Sequence, residues 1–166
     1  MRWVLSLFAA ATLTVGSVQL AEAVAPTAPG EDSETIDRSL TPSELVEWRI
    51  DRAVTHYGQG RFADADSVLG LVIDTPEVSD RLRSLALFNR GAARLQLDRF
   101  SEAILDFDAA EALAFPRPAQ LHLARGIAWE HLRILDRAAR EYSDALAADP
   151  GDPAVRAKVL AFFYKK

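Results

Sequence analysis

Apolar residues recur along most of this chain at the three-and-four spacing of helices that bury one face, and Gly, Pro and Asp interrupt that spacing at regular points. Reading the interruptions as helix ends predicts helices near residues 42–59, 61–73, 78–97, 100–113, 117–132 and 135–148, with a seventh from Ala154 to about Tyr164. The ends carry chemical signals. Thr41 precedes Pro42, with Glu44 three residues after the threonine, so that cap and third residue can satisfy each other's free amides. Gly58 and Gly60 close that helix. Pro150-Gly151-Asp152-Pro153 stops the sixth helix and opens the seventh, Asp152 as cap and Pro153 at the first position. On a helical template Val155, Val159, Leu160, Phe162 and Phe163 face inward, so the seventh helix is expected to cover the apolar edge left by the sixth. Lys165 and Lys166 follow, suited to the negative end of a helix dipole.

The pattern repeats. Gln59-Gly60-Arg61-Phe62-Ala63-Asp64-Ala65, Leu97-Asp98-Arg99-Phe100-Ser101-Glu102-Ala103 and Leu132-Arg133-Ile134-Leu135-Asp136-Arg137-Ala138 each read as a tight turn, an apolar residue, two polar residues and an alanine. Twelve residues before each closing alanine stands another small residue: Ala53, Gly91 and Gly126. Four residues after it comes a large one, Leu69, Phe107 or Tyr142, and seven after it Val72, Ala110 or Ala145. Pro76, Pro116 and Pro150 fall near the close of each unit. Small residues at fixed spacing let paired helices approach to about 8–10 Å, and large ones fill the space between successive pairs.

This series resembles the tetratricopeptide-repeat (TPR) family, over about residues 46–150. The resemblance implies an all-α fold: an α-solenoid of three TPR-like helix pairs, at about 46–79, 84–117 and 119–152, plus a C-terminal capping helix at 153–164. The first unit departs most, with His56 where the family prefers Tyr and Val72 where it prefers Ala. The family's early Trp position holds Arg49, Leu87 and His122. Arg52, Arg90 and Arg125 share one repeat position, and Asp106 and Glu141 share another on the second helices, so Arg90–Asp106 and Arg125–Glu141 are expected to pair.

In that family the first helices of each pair line a concave groove. The matched register assigns to it Ile50, Val54, Tyr57, Leu85, Phe88, Asn89, Leu95, Leu123 and Ile127, expected to form a partner-binding groove of apolar character. One subfamily grips carboxylate tails of chaperones with five polar or basic groove residues. Those positions hold Ile50, Val54, Asn89, Gln120 and Ala124 here, and only Asn89 matches, so that ligand is not expected. The resemblance implies a protein-interaction module or scaffold holding a protein or peptide, and a bacterial cell-envelope setting. The alternative is a structural, self-associating homodimer, with the groove filled by the chain itself.

The N-terminus supplies the export reading. Met1-Arg2 precedes an apolar run from Trp3, Gly16 and Ser17 break it, and Ala21-Glu22-Ala23 fits a signal-peptidase site before Val24. Residues 1–23 therefore read as a signal peptide and 24–40, rich in Pro, Gly and acids, as a flexible linker ahead of a domain at 41–166. The product would be periplasmic or secreted. Trp3 to Leu20 is uncharged over 18 residues, so an uncleaved membrane tether is the alternative. A formal net charge of −5, with both signs interspersed, argues against nucleic acid. No cysteine excludes disulfides and thiolate metal sites. His56, His122 and His131 have no metal-ligand spacing, and no phosphate loop, nucleophile elbow or dinucleotide fingerprint is present. No catalytic residue, metal or cofactor is expected, and no membrane contact beyond the signal segment.

Overall fold

The computed structural model describes residues 40–164; the expected signal peptide and all but the last residue of the linker lie outside them. Among the described residues the chain forms seven α-helices: α1 (Pro42–Gly58), α2 (Phe62–Ile73), α3 (Asp80–Gln96), α4 (Phe100–Ala112), α5 (Pro118–His131), α6 (Leu135–Ala148) and α7 (Pro153–Phe163). Each lies within two residues of its sequence-predicted range. None is long and apolar enough to cross a membrane. Each helix packs on the next, and α1, α3, α5 and α7 also touch in series, so three helix pairs stack into a solenoid.

The local signals act as read. The Thr41 hydroxyl accepts from the Glu44 amide at 3.4 Å, and the Glu44 carboxylate accepts from the Thr41 amide at 2.8 Å. The Asp152 carboxylate accepts from the amides of Ala154 and Val155 at 2.7 and 3.3 Å. Gly60, Asp98 and Arg133 occupy one repeat position, and all three have positive φ, at 74°, 58° and 63°. In each turn two amides fold back onto the ending helix. Gly60 and Arg61 donate to Tyr57 and His56, Asp98 and Arg99 to Leu95 and Arg94, and Arg133 and Ile134 to Glu130 and Trp129. The second helix then starts at once, antiparallel to the first.

Small meets large at every crossing within a pair. A Cβ on Gly91 would fall 2.5 Å from the Phe107 ring, and one on Gly126 would fall 2.7 Å from the Tyr142 ring. Phe107 and Tyr142 are fully buried. In the first pair Ala53 and Leu69 hold these positions in one core cluster, the narrower aliphatic side chain leaving room for a methyl. The expected ion pairs are present as well. Arg90 binds Asp106 with two hydrogen bonds, at 3.0 and 2.7 Å, and Arg125 binds Glu141 at 2.8 Å.

The ion pairs also cross the repeat boundaries. Arg94 bonds Asp66 of α2 and Asp106 of α4, both at 2.9 Å, and Arg99 reaches Asp66 at 2.7 Å. Arg125 reaches back to Asp108 and Glu111 of α4 at 2.7 and 2.6 Å, while His122 meets Glu141 at 2.9 Å. Burial opposes the charge on Arg125, but hydrogen bonds to Glu111 and Glu141 outweigh it and hold its pKa above the ordinary value. Glu130 accepts from the Tyr142 hydroxyl at 2.7 Å and pairs with Lys158 of α7 at 2.9 Å.

The seventh helix covers the edge only in part. Val155 and Val159 are buried and Phe162 is half-buried, but Leu160 is 52% and Phe163 51% exposed. Leu160 lies 34 residues after Gly126. The matching small residue in earlier pairs receives a large side chain from a second helix. Among the described residues α7 packs on α6 and α5 alone, so Leu160 receives no such side chain there.

Candidate binding groove

The concave face is built by the first helix of each pair, α1, α3 and α5. Most of the residues that the register assigns to it are covered within the described chain. Ile50, Phe88, Asn89, Leu95, Leu123 and Ile127 are buried; only Val54, Tyr57 and Leu85 are half-buried. The buried ones are taken up by the packing within the helix pairs and by loop residues. Phe88 stacks on Phe115, from the α4–α5 turn, at 4.4 Å and tilts against Phe107 at 5.7 Å. Leu95, Leu123 and Ile127 join the same cluster, while Ile50 joins the cluster of the first pair.

What remains accessible is narrower and partly acidic. Val54 and Tyr57 on α1 and Leu85 on α3 are half-buried, and α1 also carries Glu47, exposed, and Asp51, half-buried. Partial burial, with the Glu47 charge adding to it, pushes the Asp51 carboxyl up to about 6. Burial likewise raises the Tyr57 phenol, against a hydrogen bond with Gln96 that acts to lower it. The five positions of the carboxylate clamp present no cation, since Ile50, Asn89 and Ala124 are buried and Val54 and Gln120 are neutral.

A second surface was not read from the sequence. Between α6 and α7 an open groove of about 810 Å³ is lined by Ser143, Leu146, Ala147, Pro150, Leu160 and Phe163 among others. Tyr164, 77% exposed, stands at its mouth. The available signal was the leucine at 160, a bulky residue in the register of Gly126. Among the described residues no three His, Cys, Asp or Glu side chains converge as a metal site would require.

Neither the protein-family models nor the curated proteins compared with the sequence give a match. Solved structures do. The first domain of human RPAP3, described as a TPR domain, superposes with a TM-score of 0.64 at 20% identity, covering 74% of this chain and 92% of that one. The Arabidopsis OM64 TPR domain gives 0.65 at 21% identity, covering 75% and 98%. This chain has the tetratricopeptide-repeat fold. The second TPR domain of human RPAP3, solved in complex with the HSP70 peptide SGPTIEEVD, gives 0.64 at 21% identity, covering 76% and 99%. The TPR pairing of small and large residues is thus reached here with aromatic partners in two pairs and an aliphatic one in the first.

Proposed function

We propose that this TPR domain is a protein-interaction module that holds a peptide segment on its concave face, and that it works after export in a bacterial cell envelope. The observation that carries the binding role is the shared superhelix. A domain that covers three quarters of this chain was solved with a peptide bound. The export reading rests on the sequence of residues 1–23.

The residues of the groove narrow the ligand. A tail ending in EEVD presents several carboxylates, and the accessible groove here offers Val54, Tyr57 and Leu85, while α1 also carries Glu47 and Asp51. Like charges would be brought together and no cation would receive the terminal carboxylate. The fitting segment is therefore apolar, neutral or basic, and is gripped along its length. Titration of SGPTIEEVD into the full chain, followed by amide NMR, is expected to give no saturable shift on α1, α3 or α5. Saturable binding there would overturn the ligand class. Val54→Asp and Leu85→Asp change accessible positions only, and are expected to abolish cross-linking of the native partner through a photoreactive group at Tyr57. Cross-linking unchanged in both variants would move binding off the concave face.

One observation favours a second reading, self-association. Leu160, Phe163 and Tyr164 leave an apolar edge uncovered at the C-terminal end of the described residues. Light scattering of the full chain at rising concentration separates the readings. A dimer that Leu160→Asp dissolves supports the edge, and a monomer throughout supports the groove.

A further inference from the structure

The last helix presents a face without charge. On α7 the exposed residues Ala154, Ala157, Leu160, Ala161 and Tyr164 recur at helical spacing and form one stripe. Arg156 and Lys158 fall on either side of it, and Lys158 is occupied with Glu130. On α6 the exposed residues at the same spacing are Arg137, Arg140 and Asp144, the ordinary composition of a helix face in water. Leu160 and Tyr164 also line the α6–α7 groove, so stripe and groove form one continuous apolar surface. The register says what this surface does not fit. Val159 stands where the earlier first helices carry Arg52, Arg90 and Arg125, and Leu160 where they carry Ala53, Gly91 and Gly126. A second helix like α4 or α6 would bring a large side chain to a leucine and a carboxylate to a valine.

The stripe is complementary to itself. Ala157, Leu160, Ala161 and Tyr164 stand at i, i+3, i+4 and i+7, and alternate small, large, small, large. Read in reverse they are large, small, large, small. An antiparallel copy therefore sets Leu160 against the partner's Ala161 and Tyr164 against the partner's Ala157, each contact occurring twice. A parallel copy would set leucine on leucine. Small against large is the rule that Gly91 with Phe107 and Gly126 with Tyr142 follow inside the solenoid, and no charged side chain of the stripe has to leave water. We infer that α7 pairs antiparallel with α7 of a second copy of this chain, with Leu160 and Tyr164 seated on the partner's Ala161 and Ala157. This deepens the self-association reading above and rests on it. One short helix face gives an interface at the small end of the range, so the dimer forms reversibly as concentration rises. A two-fold dimer carries two concave faces, and a ligand protein with two copies of its segment is held by both at once.

Because the chain has no cysteine, single cysteines in the full chain report the register. In the antiparallel pair the two-fold axis passes between positions 160 and 161. Ala161→Cys then lies near its own symmetry mate and is expected to give a covalent dimer on mild oxidation. Position 157 stands about 10 Å along the helix from its mate, beyond the reach of a disulfide. Ala157→Cys alone is expected not to cross-link, and to do so when mixed with Tyr164→Cys. Sedimentation equilibrium reads the fit of the side chains. Ala161→Leu sets leucine on leucine and is expected to weaken association about tenfold. Adding Leu160→Ala exchanges small and large and is expected to recover most of that loss. Both positions are exposed, so the core of each copy is left intact. A monomer at every concentration overturns the self-association reading and this inference with it. A dimer that cross-links equally through 157 and 161, or through neither, keeps that reading and overturns the antiparallel α7 pair. A double variant as weak as Ala161→Leu alone overturns the seating of Leu160 on the partner's Ala161.

Discussion

The first helix pair and the two that follow solve one packing problem with different chemistry. The later pairs set glycine against an aromatic ring and arginine against a carboxylate: Gly91 with Phe107 and Arg90 with Asp106, then Gly126 with Tyr142 and Arg125 with Glu141. The first pair sets Ala53 near Leu69, and Arg52 over Trp48 with Val68 at the carboxylate position. All three adopt the same turn, closed by the same two backbone hydrogen bonds. The comparison teaches which part is obligatory. Complementary volume at the crossing occurs in every pair, and the ion pair is an addition that the first pair does without. Residues within a pair are matched to each other more closely than to a family consensus.

The ion pair offers the larger way to break that comparison. Asp106 is almost wholly buried, and Arg90 supplies two of its hydrogen bonds while Arg94 supplies another. Arg90→Leu leaves the carboxylate half-compensated, and is expected to cost about 2–3 kcal/mol, below the full value for breaking a buried pair because Arg94 remains. Adding Asp106→Val makes the second pair resemble the first. It is expected to recover most of that loss, since a buried pair exchanged for apolar groups of similar volume is close to neutral. Arg94 keeps Asp66 in the double variant. Urea denaturation of the two variants checks this, and a double variant no more stable than the single one would show the network to be obligatory.

The volume match gives a smaller effect of definite form. Gly91→Ala drives a methyl into the Phe107 ring, costing about 1–3 kcal/mol by overpacking against a gain of about 1 kcal/mol in helix propensity. Phe107→Leu alone leaves a void worth about 1–2 kcal/mol. Together they recreate Ala53 and Leu69, so the double variant is expected to be about 1 kcal/mol more stable than the sum of the singles predicts. A double-mutant cycle on the denaturation midpoints measures this coupling, and strict additivity would sink the idea of matched pairs.

Much of the solenoid was legible because its markers are local. A helix-ending glycine, a proline at a first turn and a small residue twelve positions before an alanine can each be read along the chain. Even the pairing of Arg90 with Asp106 and Arg125 with Glu141 followed from register, since two helices that cross at a fixed small residue must align the positions beside it. The groove was less legible. Whether Phe88 opens to solvent depends on what the following loop lays over it, and no single helix encodes that. Phe88 is sealed by Phe115, a loop residue outside the helical pattern. Leu160 and Phe163 erred in the opposite direction. Their periodicity places them inward, but inward has meaning only when a further element covers that side, and among the described residues α7 meets only α6 and α5.

Asp51 gives the smallest and most specific contrast between the first pair and the others, which carry Asn89 and Ala124 at its position. Its carboxyl is pushed up to about 6 by partial burial, with Glu47 adding to it. The sign follows from linkage. Between the ordinary aspartate value of about 4 and about 6, the folded chain binds more protons at this site than the unfolded chain does. The ionised group therefore costs stability at neutral pH, and that cost disappears as pH falls through 6 toward 4. Because the side chain is partly exposed, solvent screening holds the cost to about 1 kcal/mol. Asp51→Asn, neutral at every pH, is expected to be about 1 kcal/mol more stable than the parent chain at pH 7 and no more stable at pH 4. Urea midpoints at both pH values test it. An equal advantage at pH 4 would trace the effect to packing of the amide instead of to an unpaired charge on the concave face.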